Sequence, residues 1–217
     1  MPMRQGRPGP ELDLVDAALK AGLLPPSQKP LAIFLEPKLP VGYPDIVAVE
    51  YCSVVPQISN SPFSVTQLRL LHHLSARKAW ALDDLYSRFA ERRSNLARDI
   101  RFLEQLGLLS VKDDHLRPVG LERVFGVQQI VAIEAKIKDW KRAYWQASAN
   151  TWFSSSSYVL LPAKAATPQA INAFQASSLG LIIFDGSVCK VAVEPASRQL
   201  PVSYGSWLFN TWALKEV

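Results

Sequence analysis

Hydrophobic and polar positions alternate with different periods in different parts of the chain. Apolar residues recur at helical spacing over 11–24, where two prolines follow, and this pattern predicts a first helix. Two short apolar runs, Leu31–Leu35 and Ile46–Tyr51, flank a turn rich in proline and glycine. Such a pair of runs predicts a β-hairpin.

The pattern changes after Pro62. From 64 to 120 the chain is helical and charged, and the apolar stripes predict three helices. The third helix runs over 94–105, with Ser94 as its N-cap and Gly107 as its stop. Two short runs, 108–111 and 116–119, then predict a small β-hairpin. The change in composition and the flanking prolines indicate an inserted domain.

Mixed strands and helices resume after the insertion. The predicted elements are a buried strand over 129–133, a helix over 139–151, a strand over 158–161, a helix over 168–176, and a hairpin of 181–184 and 188–193. The aromatic segment 200–214 has no clear period. Two alternatives stay open for this segment: a cap on the core and a subunit contact.

Composition narrows the function classes only slightly. The formal charge is +5 and the pI is near 9.3, which favours a polyanionic partner without requiring one. Two isolated cysteines, Cys52 and Cys189, fit neither a zinc site nor a disulfide framework. We expect no signal peptide and no membrane span, and therefore a cytoplasmic protein.

The strongest chemical signal is Glu134 followed two residues later by Lys136, at the end of a strand that is apolar at consecutive positions. Charges at a buried position are costly unless they are paired or bind a metal. Asp45, after Pro44, stands at the start of the earlier strand. If the two strands are neighbours, two carboxylates and one ammonium converge, as metal-assisted phosphodiester hydrolysis requires. The alternative is that all three are solvated charges at a sheet edge and a turn.

Pro44-Asp45 and Glu134-x-Lys136 together resemble the signature of the PD-(D/E)xK nuclease-like superfamily. The resemblance covers about 11–56 and 121–195. It implies a restriction-endonuclease-like α/β fold, a mixed sheet flanked by helices, with Mg²⁺ or Mn²⁺ as cofactor. It also implies that Asp45, Glu134 and the carbonyl of Ala135 bind the metal, and that Lys136 is the catalytic lysine. The two parts of the signature are 89 residues apart, and the insertion accounts for this unusual distance.

Two accessory positions follow from the same resemblance. Some branches carry a glutamine on the helix after Glu-x-Lys, with a tyrosine four residues later. Gln146 matches the glutamine as a further catalytic residue, but Asn150 stands where the tyrosine would be. Other branches use a glutamate on the first helix, for which Glu11 is the candidate.

The insertion, with its order of three helices and a β-hairpin, resembles a winged helix-turn-helix domain, whose third helix enters the major groove. A solvated helix face and a protein-interaction module are the alternatives. A second basic strip follows the Glu-x-Lys triplet. The candidate nucleic-acid-binding residues of the two regions are Arg92, Arg93, Asn95, Arg98, Arg101, Lys138, Lys141 and Arg142.

These observations predict a nuclease-like core formed by 11–60 and 121–199, an inserted winged helix at 61–120, and an aromatic extension at 200–217. The predicted function is Mg²⁺-dependent hydrolysis of phosphodiester bonds in DNA. The main alternative is a non-catalytic DNA-binding or regulatory protein on the same scaffold. A third is an oligomeric interaction module, in which the aromatic extension forms a homodimer.

Overall fold

The computed structural model describes residues 8–23, 31–39, 42–52, 63–89 and 93–215. No helix in these ranges has the length and hydropathy needed to cross a bilayer. In chain order the elements are α1 (Pro10–Lys20), β1 (Leu31–Leu35), β2 (Ile46–Tyr51), α2 (Val65–Leu74), β3 (Trp80–Ala81), α3 (Leu82–Arg88), α4 (Arg93–Gln105), β4 (Leu109–Lys112), β5 (His115–Pro118), β6 (Val127–Ala135), α5 (Trp140–Asn150), β7 (Ser156–Pro162), α6 (Pro168–Gln175), β8 (Gly180–Phe184), β9 (Cys189–Val193) and α7 (Tyr204–Ala213).

The central sheet has six strands in the order β1-β2-β6-β7-β8-β9. Its first three strands pair antiparallel, which confirms the predicted hairpin of β1 and β2. The strands β6, β7 and β8 are parallel, and the helices α5 and α6 connect them. The hairpin of β8 and β9 closes the far edge. The predicted mixed α/β architecture, with helices flanking the sheet, is confirmed.

Both faces of the central sheet are covered at its inner strands, which explains the continuous apolar runs in β2 and β6, whereas the edge strand β9 is largely exposed. On one face, α1 packs Leu14, Val15 and Ala18 against a buried cluster that includes Ile133 and Ala135. On the other face, α5 and α6 cover β7 and β8 with small or aromatic side chains. Alternate residues of β6 point into different clusters, as the two-residue period of a strand requires: Ile133 and Ala135 lie in the cluster with α1, and Ile130 and Ala132 lie in a cluster with α7.

The segment between β2 and β6 forms three helices and a separate three-stranded sheet in the order β3-β5-β4. The predicted apolar stripe of α4 is confirmed, because Leu96, Ile100 and Leu103 are buried. Ser94 was predicted as an N-cap, but α4 already includes Arg93, so Ser94 lies inside the first turn. The short strand β3 was not predicted, because two residues are too few to show a period.

Helix α7 joins the helical segment to the central sheet. Its side chains Trp207 and Phe209 are buried in one cluster with residues of α2, β2 and β6. Ser206 donates to the carbonyl of Phe153, and Asn210 bonds to the backbone of Val124 and Gly126. Because polar residues of α7 are buried as well as apolar ones, its sequence lacks an amphipathic period. Of the two alternatives for this segment, the structure supports the cap on the core.

Candidate active site

Neighbouring strands bring Asp45 and Glu134 together at one end of the central sheet. The register pairs Ile46 with Ile133, so Asp45 lies just beyond this pair, beside Glu134. The Asp45 carboxylate accepts a hydrogen bond from the backbone N–H of Ala135, with 2.7 Å between Oδ2 and N. This bond holds Asp45 against the neighbouring strand, although the two residues are 90 positions apart in the sequence.

Lys136 completes the group immediately after β6. Its ammonium is almost fully buried, at 8% side-chain exposure. The Nζ atom lies 2.9 Å from Oε2 of Glu11 and 3.0 Å from the carbonyl oxygen of Ala135. Glu11, in the first turn of α1, is about half exposed, so the ion pair has one buried and one accessible partner. The structure therefore brings the proposed Glu11 position to the same site.

Asn150, the last residue of α5, also reaches this site. Its side-chain amide donates to Oε1 of Glu134 over 2.7 Å, and the residue is 3% exposed. In the sequence, Asn150 marked a departure from the accessory motif, and its contact with Glu134 was missed. The only signal was its position four residues after Gln146, on the same helix face.

Gln146 lies one turn before Asn150 on α5. Its Oε1 atom is buried without a hydrogen-bond partner among the described residues. The second oxygen of Glu134, Oε2, has the same property. Burial removes the hydrogen bonds that an acceptor makes to water in the unfolded chain. Unless a protein group replaces them, the folded state loses free energy, so buried acceptors are rarely unpaired. The unpaired Oε2 of Glu134 therefore leaves an acceptor at the carboxylate pair for a further donor or a cation.

The pKa values of Asp45 and Glu134 are both raised above their ordinary values. Burial raises the pKa of Glu134 to about 8, and the negative charge of Asp45 adds to this increase. The hydrogen bond from Asn150 and the charge of Lys136 oppose it. Burial also raises the pKa of Asp45, against the effects of the Ala135 N–H and Lys136. Burial and the charge of Asp45 therefore favour the protonated form of Glu134 near neutral pH, and a cation held by the two carboxyl groups would oppose this preference.

The donor set fits a hard divalent cation. The described residues contain no group of three or more His, Cys, Asp or Glu side chains arranged to hold a metal. However, Asp45 and Glu134 offer carboxylate oxygens at one place, including the unpaired Oε2 of Glu134, and the backbone carbonyl of Ala135 follows Glu134 directly in β6. Mg²⁺ commonly uses one or two carboxylates and keeps several waters, so a small oxygen set is sufficient for it.

The candidate basic residues lie on two helices. On α4 the side chains of Asn95, Arg98 and Arg101 are exposed. The acidic Asp99 of this helix is instead buried: it accepts a hydrogen bond from Gln67, and its Oδ1 lies 3.8 Å from Nε of Arg98, whereas Glu104 on the same helix is exposed. Lys138, in the loop before α5, is exposed, as are Lys141 and Arg142 in the first turn of this helix. Arg92 and the side chain of Arg93 lie outside the described residues.

Comparisons with known proteins do not add to this picture. No protein-family model, no curated protein sequence and no solved structure matches the chain. The function therefore has to be argued from the chemistry of the site.

Proposed function

We propose that this protein is a metal-dependent nuclease that hydrolyses phosphodiester bonds in DNA. The observation that supports the proposal is the group of three charged residues formed by Asp45, just before β2, with Glu134 and Lys136 at the end of β6. Two adjacent carboxylates, one of them with an unpaired buried oxygen, lie beside a buried lysine. A structural role alone does not account for this group, because burying two like charges together destabilises the folded state.

Each residue of the group has a distinct role in this proposal. Asp45 and Glu134 hold Mg²⁺ or Mn²⁺ with the carbonyl of Ala135. The N–H of Ala135 fixes Asp45, and Asn150 fixes Glu134, so that both carboxylates keep their orientation before the cation binds. When bound, the cation supplies Lewis acidity toward the phosphoryl oxygen and lowers the pKa of water.

Lys136 supplies the positive charge that does not depend on the cation. Its ammonium lies 3.0 Å from the Ala135 carbonyl oxygen, which is one of the proposed ligands. In that place it stabilises negative charge that develops on the phosphate oxygens or orients the attacking water. Glu11 holds the ammonium in the absence of substrate. Because the Glu11 side chain is about half exposed, this ion pair can exchange for a substrate phosphate.

We also propose that the segment 64–118 acts as a winged helix, with α4 as the helix that enters the major groove. The order of three helices followed by the hairpin of β4 and β5 supports this interpretation. The exposed Arg98 and Arg101 are suited to guanine or phosphate contacts, and Asn95 to adenine. Phosphate contacts provide affinity, and the metal site provides the chemistry.

The test is cleavage of supercoiled plasmid and circular single-stranded DNA with Mg²⁺, with Mn²⁺ and with EDTA. We expect cation-dependent cleavage by the wild type and a loss of about 100-fold or more in Asp45→Asn and Lys136→Ala, the scale of a removed charge-stabilising group. Asp16→Asn and Lys164→Ala, both exposed residues, are the matched controls.

The two variants differ in a second measurement. Asp45→Asn should lose cation binding in calorimetry, whereas Lys136→Ala should keep it, since lysine is not a ligand. If the wild type binds DNA but cuts nothing with any cation, the nuclease proposal is wrong and the protein is a non-catalytic DNA-binding protein.

A further inference from the structure

Trp145 on α5 is the most exposed large hydrophobic residue in the described part of the chain, with 73% of its surface accessible. Burial of a large aromatic side chain is among the strongest single contributions to folding or binding. Because Trp145 is exposed, its ring can still contribute this free energy when a partner covers it. The ring makes an edge contact with Tyr144 and otherwise extends from the helix. A residue of this kind is suited to binding a flat apolar partner.

The surroundings of Trp145 are basic. Lys141 and Arg142 precede it by four and three residues, so all three lie on neighbouring positions of the outward helix surface. Lys138 lies in the loop before the helix. Helix α5 contains no acidic residue, and Asp139 before it is engaged as the N-cap of the helix. The exposed aromatic ring is therefore combined with cations that no acidic residue of the helix offsets.

This surface is connected directly to the candidate active site. Lys138 follows Lys136 by two residues, a distance of at most about 7 Å along the chain. At its other end, α5 is bound to the site through the hydrogen bond from Asn150 to Glu134. From Trp140, where the helix begins, Trp145 is about 8 Å along the axis. A ligand lying along the basic residues would thus extend from Trp145 toward the loop that follows the carboxylate pair.

We propose that Trp145, with Lys138, Lys141 and Arg142, binds single-stranded nucleic acid by stacking on an unpaired base. This proposal rests on the proposed nuclease function, because it assigns the strand that the neighbouring site would cut. Proteins bind single strands by combining cations along the backbone with aromatic side chains under the bases. In a duplex the base faces are already stacked on each other, so Trp145 gains a partner only where a base is unpaired.

A protein partner is less compatible with these residues. The centres of protein interfaces are depleted of lysine, and they form continuous apolar patches of several side chains. Here one ring is surrounded by charged residues: Lys141 and Arg142 are exposed beside it. Charge complementarity therefore favours a polyanion with flat apolar groups.

The experiment is fluorescence anisotropy with labelled oligonucleotides of one sequence, as single-stranded DNA, single-stranded RNA and duplex DNA, in EDTA so that nothing is cut. For Trp145→Ala we expect affinity for both single strands to fall by about 10-fold or more, the scale of one lost base stack. Duplex affinity should change by less than about twofold. Trp145→Phe should keep most of the single-strand affinity, because a smaller ring still stacks.

Two control variants distinguish base stacking on Trp145 from the loss of any exposed apolar side chain and from the loss of a phosphate contact. Val191→Ala removes another exposed apolar side chain, on β9, and should change nothing. Lys141→Ala should weaken single-stranded and duplex binding alike and reduce the salt dependence by about one phosphate contact. Because Trp145 is exposed, its variants should keep the thermal stability of the wild type.

The proposal is overturned if Trp145→Ala binds single strands as the wild type does, or if it weakens duplex binding equally. It is also overturned if light scattering shows a wild-type dimer that Trp145→Ala converts to a monomer. A protein that cuts DNA but is indifferent to Trp145 refutes this inference alone. A protein that binds single strands through Trp145 but cuts nothing refutes the nuclease proposal alone.

Discussion

Replacing Asp45 with asparagine should stabilise the metal-free protein at alkaline pH, although it removes a residue of the candidate active site. Asparagine has nearly the same shape, and its Oδ1 can still accept the hydrogen bond from the N–H of Ala135. What the substitution removes is the negative charge beside Glu134. The change therefore removes the repulsion between the two carboxylates, together with the cost of burying the Asp45 charge and its attraction to Lys136.

The sign follows from the pKa of Glu134, which rises from 4.5 to about 8 on folding. Below pH 4.5 the group is protonated in both states. As the pH rises toward 8, the unfolded chain releases its proton and the folded chain keeps it, so the free energy of unfolding falls. One pKa unit corresponds to about 1.4 kcal/mol, so the full loss is on the order of 5 kcal/mol.

Burial is the larger cause of this shift, and Asp45 is the next. We therefore expect Asp45→Asn to recover part of this loss, on the order of 1 kcal/mol, near pH 8 and little near pH 5. For a chain of this size, 1 kcal/mol changes the Tm by about 2–4 °C, so the Tm should rise by a similar amount.

The assay is thermal unfolding followed by circular dichroism in EDTA near pH 5 and pH 8, then with added Mg²⁺. The wild type should gain stability from Mg²⁺ mainly at the higher pH, and Asp45→Asn should gain none. Asp45→Ala is the matched variant, since it removes the charge and also leaves the Ala135 N–H without its partner. If Asp45→Asn is less stable than the wild type by the same amount at both pH values, the repulsion between Asp45 and Glu134 is not present.

Three further substitutions test other parts of the structure. Asn150→Ala should weaken Mn²⁺ binding by roughly 10–100-fold in calorimetry, because it frees Glu134 to rotate; unchanged affinity would contradict the positioning role. Arg101→Ala should weaken duplex DNA binding and lower the slope of log affinity against log salt by about 1, whereas an unchanged slope would remove α4 from the interface. Phe209→Ala, at a fully buried position, should lower the free energy of unfolding by about 3–5 kcal/mol in urea titrations; a loss under about 1 kcal/mol would mean that α7 does not cap the core.

Local periodicity was sufficient to predict most helices and strands of this protein. The apolar run before Glu134 predicted a buried strand, and the structure has β6 covered on both faces. The hairpins β1–β2 and β8–β9 followed from short apolar runs around turns. These predictions succeed because the signal and the structure involve the same few neighbouring residues. The predicted N-cap at Ser94 was wrong, because α4 already begins at Arg93; sequence patterns often misplace helix ends by one or two residues.

The composition of the candidate site was only partly accessible from the sequence. The resemblance indicated Asp45, Glu134 and Lys136, and the structure brings them together. It did not indicate that Asn150 contacts Glu134, because that contact depends on how α5 packs against β6. It also did not indicate that Asp99 is buried in contact with Gln67 and Arg98, so that α4 exposes fewer acidic side chains than its sequence contains.

What the sequence by itself determined is the identity and approximate extent of the elements, together with the residue types able to bind a cation. Only the tertiary structure decided that β2 pairs with β6 across an insertion of three helices, and that α7 covers the sheet. The physical reason is that long-range strand pairing and burial depend on the whole set of packed surfaces. A period of two or 3.6 residues reports which face of an element is apolar, but not which element covers it.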